Sequence, residues 1–104
     1  MSGPELTVSR KVIDEMVRLA AIGVPGVARV SRGGPAWRTV FAGPAIVTRV
    51  ADDGVRLRVW VVARPGQSLP NVAAEVRDAV CATVERLLAL RLDSVTVTVD
   101  GVGV

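Results

Sequence analysis

The stretch Ile46-Val47-Thr48-Arg49-Val50-Ala51-Asp52-Asp53-Gly54-Val55-Arg56-Leu57-Arg58-Val59-Trp60-Val61-Val62-Ala63 decides the fold of this chain. Two runs rich in β-branched residues flank a turn sequence, and Asp-Gly favours a two-residue type I′ hairpin loop. With Asp53-Gly54 as the loop, Val50 faces Leu57, Thr48 faces Val59 and Ile46 faces Val61, which makes one coherent apolar face. A three-residue loop would set Arg49 among Leu57, Val59 and Val61 and bury an unpaired charge, because a one-residue slip exchanges the two faces. In the chosen register the other face shows Arg49 opposite Arg58, Arg56 opposite Ala51 and Trp60 opposite Val47.

Outward from the hairpin, two amphipathic helices are legible. After a short strand-like opening, Leu6-Thr7-Val8, Ser9 is a suitable N-cap for a helix over Arg10–Ile22. Its apolar stripe is Val12, Ile13, Met16, Val17 and Ala20, with Lys11, Asp14, Glu15 and Arg18 opposite. Gly23 and Pro25 stop it, and Val27 to Val30 reads as a short strand. Beyond the hairpin, Pro65-Gly66 precedes a helix that starts near Ser68-Leu69-Pro70 and runs to about Ala89. Val72, Ala73, Val76, Val80, Thr83, Val84 and Leu87 share its inward face. Ser94 to Val99 then alternates, with Val95, Val97 and Val99 inward and Thr96 and Thr98 outward, as a half-buried strand does. Asp100-Gly101 closes that strand, and residues 102–104 read as a frayed end.

These elements, in the order β-α-β-β-β-α-β, predict a single α+β domain over residues 1–104. Its architecture is a two-layer sandwich, two helices on one face of a mixed sheet of about three to five strands. The variable loop spans residues 31–44. If Val55–Ala63 and Ser94–Val99 are parallel, the helix between them is a right-handed crossover.

Composition then excludes much chemistry. The chain has 104 residues, no His, no Tyr and one Cys, so the usual general base, zinc ligand and Cys-His or Ser-His dyads are missing, as are disulfides. Asp52-Asp53 belongs to the hairpin turn, and Cys81 reads as a small, partly buried filler. Gly23-Val24-Pro25-Gly26 has the spacing of a KH-type RNA clamp, but Pro25 and the strand-like Val27 favour a helix stop. No catalytic residue, cofactor site, metal site or small-molecule substrate is therefore expected. The start of the chain lacks a basic n-region and an apolar core. The longest apolar run, Val59–Ala63, is far below the ~20 residues that span a bilayer, which predicts a cytoplasmic chain.

What remains is positive charge. Net charge is +3, and twelve of the 13 basic residues are Arg. Arg49, Arg56, Arg58 and Trp60 fall on the non-core face of the hairpin and form the first candidate interaction face. Carboxylates, phosphates or a second subunit would suit it. Arg32, Trp37, Arg38 and Phe41 make a second candidate in the loop, where the i,i+4 pair Trp37 and Phe41 reads either as a helical turn capping the core or as a partner patch. An RNA-binding platform on the Arg/Trp face is the alternative function.

The whole pattern resembles the bacterial alkaline shock protein family, also called the envelope stress response family. Three segments carry the likeness. The first is Thr7-Val8-Ser9 with Val12-Ile13 and then Ala20-Ala21-Ile22-Gly23-Val24-Pro25-Gly26-Val27. The second is the strand Val55 to Val62 followed by Gly66, Ser68-Leu69-Pro70, Val72, Val76 and Val80. The third is Leu92, Val95-Thr96-Val97-Thr98-Val99 and Gly101-Val102. The resemblance implies a non-enzymatic bacterial protein of cell-envelope homeostasis, either self-associating as a homo-oligomer or held at the inner face of the membrane by a membrane-anchored partner. It supplies no catalytic residues.

Overall fold

The computed structural model of the chain describes residues 9–33, 43–52 and 54–103. The strand expected over Leu6–Val8 and the helical turn expected over 36–42 lie outside the described residues. The elements are α1 (Arg10–Ile22), β1 (Val27–Arg29), β2 (Ile46–Ala51), β3 (Gly54–Ala63), α2 (Leu69–Ala82), a π-helical turn (Thr83–Leu87) and β4 (Leu92–Val102). They form two helices packed on one face of a four-stranded mixed sheet, the α+β sandwich that the residue pattern predicts.

Strand β3 is the shared partner. It pairs antiparallel with β2 and β1 and parallel with β4, and β4 extends past the predicted end at Asp100 to Val102. The ladder assigns its edges. Trp60 N–H donates to Ala45 O at 2.8 Å and Arg64 N–H to Gly26 O at 2.9 Å, whereas Val55 N–H donates to Arg91 O at 2.8 Å and Ala63 O accepts from Gly103 at 2.9 Å. Even-numbered residues at this strand thus address β2 and, further along, β1; odd-numbered ones address β4 on the other edge.

The hairpin register differs from the expected one by two residues. Ile46 pairs with Val59, Thr48 with Leu57, Val50 with Val55 and Ala51 with Gly54, so Asp-Gly does not form the loop. Gly54 is instead the first residue of β3, with φ of +144°, and a Cβ there would stand 3.0 Å from Arg91 O at the approach of β4. The close approach of β4 therefore claims the glycine for the strand. A shift of two leaves every side chain on its expected face.

The core forms where the odd-numbered residues of β3 meet the helices. Val55, Leu57, Val59 and Val61 are at most 2% exposed, and they pack with Ile13, Val17 and Ala21 of α1 and Val72, Val76 and Val80 of α2. Two stripes are corrected. In α1 the buried residues recur every fourth position from Ile13, which leaves Val12, expected inward, 46% exposed. In α2 the helix ends at Ala82 rather than near Ala89. The π turn, marked by Leu88 N–H donating to Thr83 O, holds both Thr83 and Val84 in the core and turns Leu87, expected inward, out to 70% exposure. Ala89, in the left-handed region at φ 53°, then reverses the chain toward β4.

Thr48 is the polar exception in the apolar face of β2. It is 5% exposed, and its hydroxyl donates to the carboxylate of Asp14 on α1, which satisfies the buried oxygen and fixes α1 over β2. Asp14→Ala should destabilise the protein by about 1–2 kcal/mol in urea unfolding, because the hydroxyl keeps its burial and loses its acceptor. Thr48→Val should cost less, and Asp14→Ala combined with Thr48→Val should be more stable than Asp14→Ala alone. Equal costs for the single variant Asp14→Ala and the pair would refute that role for the bond.

Candidate functional site

The face of the sheet away from the helices is built by alternation. Even-numbered residues of β3 and their cross-strand neighbours point there, so Arg56 and Arg58 stand beside Arg49 and Val47 of β2 and Ser94, Thr96 and Thr98 of β4. Arg49 is directly opposite Arg56, not Arg58, and Val47 is opposite Arg58. The like-charged pair expected here thus persists with a different member. Such pairs are tolerated where water or an anion lies between the guanidinium groups. Arg56 is also held by Asp93, Nε to Oδ2 at 2.7 Å, in an exposed ion pair that contributes little to stability.

A depression of about 150 Å³ opens between these residues, lined by Val47, Arg49, Arg56, Leu57, Arg58, Ser94 and Thr96. A wider hollow of about 530 Å³ continues from it around the edge of β2, where Arg10 of α1 joins Arg49 and Arg56. Arginine forks, two hydroxyl-bearing side chains and a valine wall suit carboxylate or phosphate groups on an extended chain.

Trp60 closes the other end of the face. The Arg32 guanidinium lies 3.7 Å from the ring centroid and that of Arg58 lies 5.3 Å from it, so the indole, half-buried, is flanked by cations. Arg32 Nε donates to Pro44 O at 3.0 Å, and Gly33 N–H donates to the Asp100 carboxylate at 2.8 Å. A Cβ on Gly33 would fall 1.7 Å from Asp100 O, so only glycine permits this approach to β4. The chain following β1 therefore crosses this end of the sheet, from the edge that β1 shares to the edge that β4 occupies. Val62 beneath is 2% exposed.

The structure brings Arg49, Arg56, Arg58 and Trp60 onto one face and adds Arg32 from the second candidate set. Trp37, Arg38 and Phe41 lie outside the described residues. The contact of Arg32 with Trp60 was not legible, because no local pattern links positions 28 apart; the Gly33-Gly34 pair signalled only a loop. Cys81 is partly buried as a filler, and burial pushes its thiol pKa up against the opposing pull of Arg77. Among the described residues no three His, Cys, Asp or Glu side chains gather, and no helix is long and apolar enough to cross a membrane.

The fold and this face define a small two-layer α+β domain with a basic, arginine-rich sheet surface. Residues 2–104 match the alkaline shock protein 23 family, described as having a cell envelope-related function, and the chain belongs to that family. It is 28% identical over 104 residues to the uncharacterized protein YqhY of Bacillus subtilis (strain 168), covering 94% of this chain and 76% of that protein. Among solved structures it is similar to a manganese form of the MamM CTD, with TM-score 0.64 and 18% identity over 89% of this chain and 99% of that one. A second MamM CTD structure gives TM-score 0.65 and 17% identity over 89% and 99%. At that identity the likeness is one of fold.

Arg32→Ala should uncover one side of the indole. In a Trp37→Phe background, acrylamide quenching of Trp60 fluorescence should rise and its emission shift to the red, with little change in unfolding midpoint. Unchanged quenching would contradict the stacked arrangement.

Proposed function

We propose that this chain is a non-enzymatic interaction module of the cell envelope, acting at the inner face of the membrane through a membrane-anchored partner and through copies of itself. The observation that carries the partner half is the convergence of Arg49, Arg56 and Arg58 around one depression on the sheet face, whose described lining holds no carboxylate, Asp93 reaching only Arg56. Such a surface selects for an acidic, extended protein segment, since arginine forks pair bidentately with carboxylates and the flanking Val47 gives apolar contact. The family's cell envelope-related function supports the setting. The missing His, the lone Cys and the turn position of Asp52 support the absence of catalysis.

Single-stranded RNA is the competing ligand, because the same arginines beside Trp60 resemble a stacking and phosphate platform. Here Trp60 is already flanked by Arg32 and Arg58, which leaves less of its ring for a base and favours the protein partner.

The test is affinity purification from the native cell, with and without detergent, comparing the wild type with Arg49→Glu/Arg58→Glu. The wild type should retain a membrane protein bearing an acidic cytoplasmic segment, the double variant should lose it, and a synthetic peptide of that segment should bind the purified wild type with salt-sensitive affinity. Co-purifying nucleic acid that the double variant loses would establish the RNA reading instead. Identical partners from both forms would overturn the arginine face.

A further inference from the structure

The two edges of the sheet are defended unequally. Strand β2 is six residues long and carries Arg49 at its middle, with Arg10 standing beside it. Strand β4 is eleven residues long, and between Asp93 and Asp100 it has no charge, no proline and no glycine, only Ser94-Val95-Thr96-Val97-Thr98-Val99. Long, neutral, β-branched edge strands are templates for pairing with another strand, and monomers ordinarily break them with charge or proline.

The register shows which backbone groups are presented. Odd-numbered residues of β3 address β4, and Leu57 is aligned with Val95, Val59 with Val97 and Val61 with Val99. In a parallel ladder of this phase the N–H and C=O groups of Thr96 and Thr98 turn toward β3, and those of Val95, Val97 and Val99 turn outward. The side chains of the same three valines point toward the helix layer yet stay half-exposed, unlike their β3 neighbours. A groove of about 380 Å³ lies beside them, floored by Val95–Val97 and walled by Ala73, Ala74 and Arg77 of α2. Among the described residues no strand pairs with this outer edge of β4.

We propose that this position is filled by β4 of a second copy, antiparallel to the first about a two-fold axis at Val97, so that two domains share one continuous sheet. The strand is complementary to itself in that arrangement. Val97 meets Val97, Val95 meets Val99 and Thr96 meets Thr98, so apolar and hydroxyl faces match on both sides. At the ends Asp93 falls opposite Gly101 and Asp100 opposite Ser94, so no like charges oppose one another along the pair. The outward groups of Val95, Val97 and Val99 form reciprocal hydrogen bonds, and the half-exposed valines of both copies cover one another beneath α2. This deepens the self-association named above and makes no use of the arginine face.

The test measures mass by light scattering and sedimentation across a concentration series of the full chain. The wild type should reach twice the chain's 10.9 kDa. Val97→Pro, which removes an outward N–H and no hydrogen bond to β3 but also fixes φ, and Val97→Lys should each raise the dissociation constant about tenfold or more, whereas Arg58→Glu should leave it unchanged. Register is read separately from variants that do not disturb the ladder. In a Cys81→Ser background, Val97→Cys should oxidise to a covalent dimer, because a hydrogen-bonded antiparallel pair sets Cα atoms about 5.5 Å apart. Val95→Cys, opposite Val99 of the second copy, should not. A wild type that stays monomeric, a dimer insensitive to Val97→Pro and Val97→Lys with equal cross-linking at 95 and 97, or a dimer that Arg58→Glu dissociates would each overturn the proposal. The last result would transfer self-association to the arginine face, and loss of an acidic partner without change in mass would leave the β4 pairing standing.

Discussion

Strand β3 sits at the centre of every pairing that the sheet makes. Strands β1, β2 and β4 are each hydrogen-bonded to it, and it is the strand that they have in common. Its ten residues meet four demands at once. Odd-numbered side chains build the core, even-numbered ones build the opposite face, and alternating backbone groups serve β4 on one edge and β2 with β1 on the other. Period two allows this, since side-chain direction and edge direction both alternate along a strand. The helices then need only one apolar stripe each, and the small valines and alanines of α1 and α2 fit against a sheet whose own contribution is also mostly valine.

The same alternation determines what the protein leaves to its surroundings. Helices occupy one face, so the arginines at even positions 56 and 58, with Arg49 across from them, gather on the other. The parallel crossover through α2 delivers β4 to the edge opposite β2 and leaves its outward groups without a neighbouring strand among the described residues. One surface carries guanidinium groups; the other is an edge of uncharged Ser, Thr and Val residues between Asp93 and Asp100. They share β3 and β4 but differ in chemistry, so substitutions in one need not disturb the other. The contacts of Arg32 with Trp60 and of Gly33 with Asp100 mark the far end of the basic face, where the chain crosses from one sheet edge to the other.

Much of this was readable from residue order, for physical reasons. Val72, Val76 and Val80 recur at helical spacing on a helix that tertiary packing leaves intact, and Val95, Val97 and Val99 alternate in a strand that is half-buried as read. The arginine face was identifiable despite the register error, because a shift of two residues conserves faces even while it exchanges partners. The errors arose where a distant segment overrides a local preference. The Asp-Gly dipeptide places Gly54 in the turn, yet Arg91, just before β4, approaches it from 37 positions away. Asp14 falls on the solvent side of α1 by helical spacing, yet it is the acceptor for Thr48. An unbroken helical period would set Leu87 inward, and the π turn at Thr83–Leu87 interrupts that period.

Strand β3 is the strand that all the others share, and residue-resolved native-state hydrogen exchange measures whether they depend on it. Amides of Arg56, Leu57, Arg58, Val59, Trp60 and Val61 should exchange only through global unfolding, with one common free energy for the odd and even sets, since both edges are occupied. Amides of α1 and of β1 should open at lower free energy. A set of β3 amides that exchanges well before those of α1, or odd and even sets that separate by several kcal/mol, would show that the strand is not the element on which the others are assembled.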